Sequence, residues 1–395
     1  MPGSVIVAGA RTPIGRLSGA LTGFSAMDLG GFAIAAALER AGLTPEQVEY
    51  VLMGQVLQAG QGQITARQAA VKAGIPMTVP AMTVNKVCLS GLNSIYLADQ
   101  MIAAGDADVV VAGGMESMTK APYLLPEARA GYRMGDSSLV DSMMFDGLFC
   151  AFDVCAMGAA TERYSKAASI ARDRQDAFAA ASHERAAAAI KDGRFADEIV
   201  PVSVPQRKGD PVVIDTDEGV RPGTTTESLG KLRPAFEGDG TITAGNASQI
   251  SDGGAAVVVT SRAKADELGV RPLGEIVSYG MVAGPDPSLL TQPSRSTRQA
   301  LDRAGRQVGD VDLFEFNEAF AAVGLASMED LGITDEVTNV NGGAIALGHP
   351  IGMSGTRLAL TLLTELGRRG GGLGAAALCG GGGQGDALLV QAPAS

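Results

Sequence analysis

Asn339-Val-Asn-Gly-Gly-Ala-Ile-Ala-Leu-Gly-His349-Pro-Ile-Gly-Met-Ser-Gly355 is the densest glycine-flanked run of the 395-residue chain, and it holds one of only two histidines. The run ends in Ser354-Gly355 and leads into a helical pattern, which predicts that His349 stands on a turn at a helix start. Catalytic groups collect on turns that rigid elements hold in position. His349 is therefore a candidate catalytic residue, with a purely structural histidine as the alternative.

The segments before and after this run indicate an internal repeat. Four kinds of segment occur in the same order in both halves. They are a helix pattern that ends in Arg-Ala-Gly, a strand pattern, a helix opened by Ser-Gly, and further β-rich runs. The matched pairs are 37–42 with 300–305, 48–54 with 311–317, 90–114 with 354–380, and 255–260 with 386–391. An ordered series of four matched segments favours duplication over chance.

The alternation of strands with helices of 10–15 residues predicts an α/β fold with mainly parallel sheets, the helices of the two halves lying between them. Residues 119–249 belong to neither copy and contain one clear helical segment, 172–192, so we interpret them as an insertion. The predicted domains are an N-terminal half of residues 1–118 plus 250–272, an inserted loop domain of 119–249, and a C-terminal half of 273–395.

The composition excludes several function classes. A net charge of −12, 4% aromatic residues and no tryptophan argue against nucleic-acid binding. No apolar run is long enough for a membrane span, and the N-terminus lacks the basic region of a signal peptide. Four cysteines in a chain of this length indicate neither a disulfide framework nor a zinc site. We therefore expect a cytoplasmic protein without a metal.

Candidate catalytic residues follow strands or precede helices at equivalent places of the two halves. Cys88 and His349 each precede a helix opened by Ser-Gly, whereas Asn317, Glu318 and Cys379 stand at strand ends. Because the carboxyl ends of parallel strands meet at one edge, these side chains should converge. A cysteine at a helix N-terminus has a stabilised thiolate, so Cys88 is a candidate nucleophile, with a small buried hydrophobe as the alternative.

Several motifs resemble those of the thiolases, most closely the acetyl-CoA acetyltransferases (acetoacetyl-CoA thiolases). They are Asn85-Lys-Val-Cys-Leu-Ser-Gly91, Asn317-Glu-Ala-Phe320, the run 339–355, Cys379-Gly-Gly-Gly-Gly-Gln-Gly385 and Gly245-Asn-Ala-Ser248. The resemblance extends over essentially the whole chain. It implies a duplicated five-layer α-β-α-β-α fold with an inserted loop domain, and an acyltransferase that works through an acyl-enzyme in lipid metabolism.

The resemblance assigns a role to each catalytic candidate. Cys88 would attack an acyl-CoA thioester and carry the acyl group, and His349 would accept the thiol proton. Cys379 would remove the α-proton from a second acetyl-CoA. His349 and a water held by Asn317 would form one oxyanion site, and the backbone N–H groups of Cys88 and Gly381 would form the other.

The resemblance also implies that coenzyme A and acyl-CoA are substrates, with no permanently bound cofactor. The insertion supplies a basic cluster for the nucleotide end, of which Arg221 is the preferred contact. The other implied contacts are Ser248 on the pantetheine arm and the lining residues Leu148, Met157, Phe236, Ala244 and Phe320. The family forms dimers or tetramers, and this insertion favours a homotetramer built as a dimer of dimers. His183 is expected to be an exposed helix residue, and Lys86 either assists Cys88 or lies on the surface.

Two departures bear on the substrate. Acetoacetyl-CoA thiolases often carry a histidine where this chain has Ala156, and Met353 stands where the signature usually has a smaller residue. The main alternative is therefore a 3-ketoacyl-CoA thiolase for medium or long acyl chains, as in fatty-acid β-oxidation. More distant alternatives are a decarboxylating ketosynthase, which needs a second active-site histidine at Cys379, and a non-catalytic acyl-CoA-binding protein.

Overall fold

The computed structural model describes residues 3–394 and begins with the first copy of the repeat. The copy starts with a buried strand, as the apolar N-terminal run predicts. Its elements before the insertion are β1 (Ser4–Arg11), β2 (Gly15–Arg16), α1 (Ala26–Ala41), β3 (Tyr50–Gly54), α2 (Thr65–Lys72), β4 (Ala81–Val84), α3 (Ser90–Ala104) and β5 (Val109–Ser117).

The inserted segment contains short strands and three helices, of which the longest matches the predicted helical segment. Its elements are β6 (Tyr123–Leu124), β7 (Val140–Asp141), a π-helical turn (Met143–Leu148), β8 (Phe149–Cys150), β9 (Cys155–Ala156), α4 (Met157–Ala167), α5 (Arg172–Lys191), β10 (Val202–Val204), β11 (Val212–Ile214) and α6 (Thr226–Gly230). Buried Arg11 of β1 binds Glu198 and Asp217 of this segment at 2.7 Å each, which fastens the insertion to the sheet.

The rest of the chain closes the first copy and then repeats it. Its elements are β12 (Ser251–Ser261), α7 (Arg262–Leu268), β13 (Gly274–Ala283), α8 (Gln292–Ala304), β14 (Leu313–Phe316), α9 (Ala321–Leu331), α10 (Ala344–Leu347), α11 (Ser354–Arg368), β15 (Gly372–Gly380) and β16 (Gln384–Ala392). Helices α1 and α8 end at Gly42 and Gly305, whose φ angles of 66° and 63° lie in the left-handed region that glycine adopts without strain.

The two copies have the same strand order. The first copy runs β4-β3-β5-β12-β1, and the second runs β14-β15-β16-β13 with a single parallel bridge at Thr338 in the place of β4. The copies join where β1 pairs with β13, at Val5↔Glu275 and Ile6↔Gly274. The matched strand order supports the internal repeat that the sequence indicates.

The sheet is mixed, so the expectation of mainly parallel pairing was wrong. Parallel pairing occurs between β3 and β4, β3 and β5, and β14 and β15, whereas β1, β12, β13 and β16 pair antiparallel. The reason is connectivity: the turn 381–383 between β15 and β16 is too short for the crossover that parallel strands require. The parallel strands still end at one edge, which is the edge that carries the candidate residues.

Helices lie on both sides of the sheet and between its halves. Helices α1 and α2 cover the outer face of the first copy, and α8 covers that of the second. Between the halves, Leu92 of α3 and Leu362 of α11 share one apolar cluster with Leu52 of β3 and Leu388 of β16. Burying each such leucine stabilises the fold by about 1.5–3 kcal/mol. The five layers of the expected α/β fold are therefore present.

The first turns of α3 and α11 are in direct backbone contact. A Cβ atom on Gly91 would lie 2.8 Å from the carbonyl oxygen of Gly352, and one on Gly355 would overlap the backbone nitrogen of Leu92. Such distances are shorter than real Cβ contacts, so only glycine permits this approach. The contact brings together the two turns that carry Cys88 and His349.

Candidate active site

Cys88 lies on a tight turn whose backbone points at its own sulfur. The preceding residue, Val87, has φ 52°, and Cys88 is only 4% exposed. Burial raises the pKa of the Cys88 thiol to about 12, although the N–H groups of Cys88 and Gly381 favour the thiolate. The expectation of a stabilised thiolate was therefore wrong for the resting site, because desolvation outweighs the two N–H groups. The thiol needs a base.

His349 is a neutral base in this structure. Its Nδ1 lies 2.6 Å from Ser354 Oγ, and that hydroxyl donates its proton to the carbonyl oxygen of Pro350 at 3.0 Å. With that hydroxyl donating to Pro350, Nδ1 carries the imidazole proton, and Nε2 is the ring nitrogen whose lone pair can accept one. Burial, with a smaller effect of the Arg357 charge, lowers the pKa of His349 to about 3. Ser354 was not predicted as a site residue, although the sequence places it at the helix start.

Asn317 stands beside the histidine at the end of β14. Its Nδ2 lies 3.3 Å from His349 Nε2, and its side chain is buried. The Oδ1 atom of Asn317 is buried and finds no hydrogen-bond partner within residues 3–394. Because a buried amide oxygen without a partner is costly, this atom is suited to accept a hydrogen bond from a water or a substrate group.

Cys379 ends β15 and lies close to Cys88. Burial raises the pKa of the Cys379 thiol, and the charge of a Cys88 thiolate raises it further. The same loop continues to Gly381, whose N–H points at the Cys88 sulfur. The structure thus brings Cys88, Cys379 and Gly381 together, and places His349 and Asn317 in contact with each other.

Glu116 and Glu318 are buried carboxylates that hold the loops of the site. Glu116 accepts hydrogen bonds from the backbone N–H groups of Val56, Leu57 and Gly352 at 3.0–3.1 Å. Burial raises its pKa to about 7. Glu116 was not predicted as a site residue. The available signal was a single carboxylate in the strand pattern 109–117, whose other residues are small or apolar. Glu318 instead accepts hydrogen bonds from Ser182, Asn339 and the backbone of Ile345.

A cavity of about 660 Å³ opens above these residues, with His349 in its wall. All seven residues that the resemblance assigned to coenzyme A line it: Leu148, Met157, Arg221, Phe236, Ala244, Ser248 and Phe320. Ala156 also lines the cavity, whereas Met353 packs in an apolar cluster with Ile14 and Ala255. Of the two sequence departures, Ala156 is therefore the one that bears on pocket shape. Arg16 lines the cavity too and was not predicted.

The basic cluster of the insertion does not act as one unit. Arg221 lines the cavity, whereas Lys231 is exposed and pairs with Glu227. Arg207, Lys208 and Arg233 are exposed as well. Only Arg221 of the cluster, together with Arg16 from outside the insertion, is therefore placed to meet an anionic ligand in the cavity.

The expectation of an exposed His183 was wrong. Its side chain is 4% exposed, and its Nδ1 accepts a hydrogen bond from the backbone N–H of Arg221 at 3.2 Å. Burial, with a smaller effect of Arg221, lowers the pKa of His183 to about 4. Ala179, Ser182 and Ala186 share its buried face, and this i, i+3, i+4, i+7 spacing was the signal in the sequence.

Lys86 anchors the nucleophile turn to the second copy. Its Nζ lies 2.8 and 2.9 Å from the two carboxylate oxygens of Asp386, which also accepts a hydrogen bond from Tyr279. The Asp386 side chain is fully buried and that of Lys86 is 22% exposed. This ion pair therefore crosses between the halves two residues before Cys88.

Replacing Lys86 with methionine should lower both stability and kcat. The change leaves the Asp386 carboxylate buried without its cation, which costs about 3–5 kcal/mol in comparable pairs. The measurement is the free energy of unfolding together with kcat. Lys86→Arg, which keeps the charge, is the matched control, and the double variant K86M/D386N should recover part of the stability. Equal stability of the wild type and Lys86→Met would show that the pair contributes nothing.

Residues 3–394 contain neither a candidate metal cluster nor a helix suited to cross a membrane. No group of three or more His, Cys, Asp and Glu side chains in this part of the chain is placed to hold a metal ion. None of its helices has both the length and the apolar character that crossing a membrane requires.

Comparison with known proteins covers the chain almost completely. A family model described as thiolase, N-terminal domain, matches residues 4–263, and one described as thiolase, C-terminal domain, matches residues 270–392. A probable acetyl-CoA acetyltransferase of Mycobacterium tuberculosis is 59% identical over 392 residues, which are 99% of this chain and 100% of that protein. Acetyl-CoA acetyltransferases of Pseudomonas aeruginosa and Thiocystis violacea are 54% and 53% identical, each over 98% of both chains.

Proposed function

The chain belongs to the thiolase family, and we propose that it catalyses the reversible Claisen condensation of two acetyl-CoA molecules to acetoacetyl-CoA and coenzyme A. Relatives that match the whole chain carry the name acetyl-CoA acetyltransferase. One structural observation carries the proposal: Cys88 and Cys379 are buried close together, and His349, a neutral base, lies in the wall of a cavity of about 660 Å³.

The first half-reaction forms an acyl-enzyme. The Cys88 proton passes to His349 Nε2, and the thiolate attacks the thioester carbonyl. The N–H groups of Cys88 and Gly381, which point at the sulfur, stabilise the developing oxyanion. Removing one such donor costs roughly 3–4 kcal/mol of barrier stabilisation. The imidazolium then returns the proton to the departing coenzyme A thiolate.

The second half-reaction forms the carbon–carbon bond. His349 Nε2 first takes the Cys379 proton, and the Cys379 thiolate removes the α-proton of a second acetyl-CoA. The enolate carbon attacks the carbonyl of acyl-Cys88, and Cys88 leaves as a thiolate that takes the proton back from His349. The enolate oxygen is stabilised by His349 and by a water held on Asn317. The unpartnered Oδ1 of Asn317 supports this role, because it offers the water an acceptor.

Coenzyme A binds in the cavity as a substrate that leaves in each cycle. The protein carries a net charge of −12, so attraction to the phosphates must be local. Arg221 and Arg16 supply it, and Ser248 lies beside the pantetheine arm. The apolar lining residues, such as Met157 and Phe320, cover the rest of the arm.

A second candidate function is a 3-ketoacyl-CoA thiolase for longer acyl chains. The same chemistry applies, and the difference lies in the acyl pocket. Ala156 favours this candidate, because its small side chain lines the cavity where acetoacetyl-CoA thiolases often have histidine. The names of the relatives favour the shorter substrate.

Thiolysis rates for 3-ketoacyl-CoA substrates of increasing chain length separate the two candidates. We expect kcat/KM to be highest for acetoacetyl-CoA. It should fall at least about tenfold for acyl chains that the pocket does not admit, which is the effect of one extra methylene group in a hydrophobic pocket. In Ala156→His, the larger side chain should reduce thiolysis of longer substrates much more than that of acetoacetyl-CoA. Equal or faster cleavage of long chains would favour the second candidate, and binding without any turnover would indicate an acyl-CoA-binding protein.

We propose a cytoplasmic homotetramer. The inserted segment supports an interface, because Tyr123, Met134 and Leu139 expose 65%, 98% and 61% of their surface. Exposed apolar side chains on one segment are typical of contacts with another subunit. The mass of the assembly in solution, compared with that of a variant carrying serine at Met134 and Leu139, tests the arrangement.

A further inference from the structure

Two cysteines outside the catalytic centre face each other across a β-hairpin. Strands β8 and β9 pair antiparallel, with Cys150 directly opposite Cys155 and Phe149 opposite Ala156. Both cysteines are free thiols in this structure. We propose that Cys150 and Cys155 form a reversible disulfide that locks this hairpin at the edge of the substrate cavity, a modification site that goes beyond the proposed function.

The register of the hairpin suits a disulfide. Directly opposed residues of antiparallel strands have Cα atoms about 4.5–5.5 Å apart, with side chains on the same face of the sheet. Disulfides join Cα atoms about 4.4–6.8 Å apart. Only residues 151–154 separate the two strands, and Val154 has φ 51°, which keeps the turn tight. The pairing therefore holds the two thiols within bonding reach without movement of other elements.

The two thiols differ in access. Cys155 is partly exposed and lies beside Val154, which is 72% exposed, whereas Cys150 is buried. The Cys150 sulfur also accepts a hydrogen bond from the backbone N–H of Asp153 at 3.3 Å. Cys155 is therefore the thiol that an oxidant reaches first, and Cys150 is the resolving thiol.

The reaction is thiol–disulfide exchange with a low-molecular-weight disulfide. The Cys155 thiolate attacks one sulfur of the small disulfide, its S–S bond breaks, and one small thiol leaves with the Cys155 proton. The Cys150 thiolate then attacks the Cys155 sulfur, and the second small thiol leaves with the Cys150 proton. The protein dithiol loses two electrons, and the small disulfide gains them.

The hairpin contacts both the catalytic loop and the substrate cavity. A Cβ atom on Gly382 would lie 3.0 Å from the Phe152 ring, and Cys150 shares the wall of a small pocket with Met157 and Gly382. Gly382 follows Gly381, the oxyanion donor, and Ala156 and Met157 line the substrate cavity. A bond between Cys150 and Cys155 therefore restricts the segment that shapes the acyl pocket.

Mass spectrometry of tryptic peptides tests the bond directly. Cys150 and Cys155 lie on one peptide, 134–163, whereas Cys88 and Cys379 lie alone on peptides 87–120 and 370–395. The full chain is equilibrated with oxidised glutathione, acidified, alkylated with iodoacetamide and digested. We expect peptide 134–163 to be lighter by two hydrogen atoms, unalkylated, and to take up two alkyl groups after reduction.

Two variants test which of the two cysteines attacks the small disulfide first. In Cys150→Ser, Cys155 should retain glutathione as a mixed disulfide, and in Cys155→Ser, buried Cys150 should stay a free thiol. Thermal unfolding of both variants shows whether they fold. Recovery of peptide 134–163 with two alkyl groups, or with glutathione on Cys155 in the wild-type chain, would overturn the proposal.

A separate measurement tests the effect on the cavity and rests on the proposed function. The ratio of thiolysis rates for long and short 3-ketoacyl-CoA should change on oxidation of the wild-type chain and recover on reduction. Cys155→Ser treated in the same way corrects for oxidation at Cys88. An unchanged ratio in the wild type would overturn the link between hairpin and pocket, whereas inactivity of the reduced protein would overturn the proposed function and leave the mass result intact.

Discussion

Replacing Cys88 with alanine will lower acyl transfer by roughly 10⁶-fold, the scale of removing a catalytic nucleophile. The N–H groups of Cys88 and Gly381 point at the Cys88 sulfur, and His349 is a neutral base in the wall of the adjoining cavity. Without the sulfur no acyl-enzyme forms, so the N–H groups and His349 have no covalent intermediate to stabilise. The initial rate of acetoacetyl-CoA thiolysis measures the loss.

The same variant should keep its affinity for coenzyme A. Cys88 is almost fully buried, so its replacement leaves the side chains that line the cavity, and with them the contacts to coenzyme A, in place. Calorimetric titration with coenzyme A, together with a thermal unfolding curve, separates lost chemistry from lost folding. Cys155→Ala under reducing conditions is the matched cysteine control. Turnover retained by Cys88→Ala would show that another group is the nucleophile.

Replacing Cys379 with alanine should block condensation while Cys88 is still acylated. A general base contributes roughly 10²–10⁴-fold, and the buried Cys379 thiolate is a strong base because desolvation raises its pKa. The negative charge of a Cys88 thiolate opposes ionisation of Cys379. Acylation of Cys88 removes that charge. The Cys379 thiolate therefore forms more easily after the first half-reaction than before it.

The two half-reactions can be measured apart in this variant. The mass of the intact protein after mixing with acetyl-CoA should show one acetyl group, and formation of acetoacetyl-CoA should fall by the factor above. Cys379→Ser tests whether a weaker acid at the same position restores any condensation. Normal condensation by Cys379→Ala would exclude Cys379 as the second base, and failure to acetylate Cys88 would show that the two cysteines act in one step.

The structural features that follow from local backbone requirements could be predicted from the sequence. Gly42 and Gly305 mark helix ends, and the helix that Ser90-Gly91 is predicted to open begins at Ser90 in the structure. The convergence of Cys88 with Cys379 also followed from the repeat and from parallel strand ends. These features depend on glycine conformation and helix periodicity, which a single sequence displays.

The rest depended on contacts between distant segments. The antiparallel pairing of β12 follows from the path of the insertion, and the pKa of Cys88 follows from burial by residues of both halves. The partners of Lys86 and His183, Asp386 and Arg221, lie 300 and 38 positions away in the chain. No local pattern records such partners, so the ion pair of Lys86 and the hydrogen bond of His183 could not be predicted, although the helical spacing around His183 does indicate its burial.

The backbone contact between the first turns of α3 and α11 has an evolutionary consequence. Cys88 stands two positions before the Ser-Gly pair of its copy, whereas His349 stands five positions before the pair of the other, so nucleophile and base occupy different places in the two repeats. The Ser-Gly pairs are the same in both copies whereas the residues before them differ, so each copy now supplies one of the two groups. The shared glycines reflect the common origin of the two copies, and Cys88 and His349 reflect their different roles.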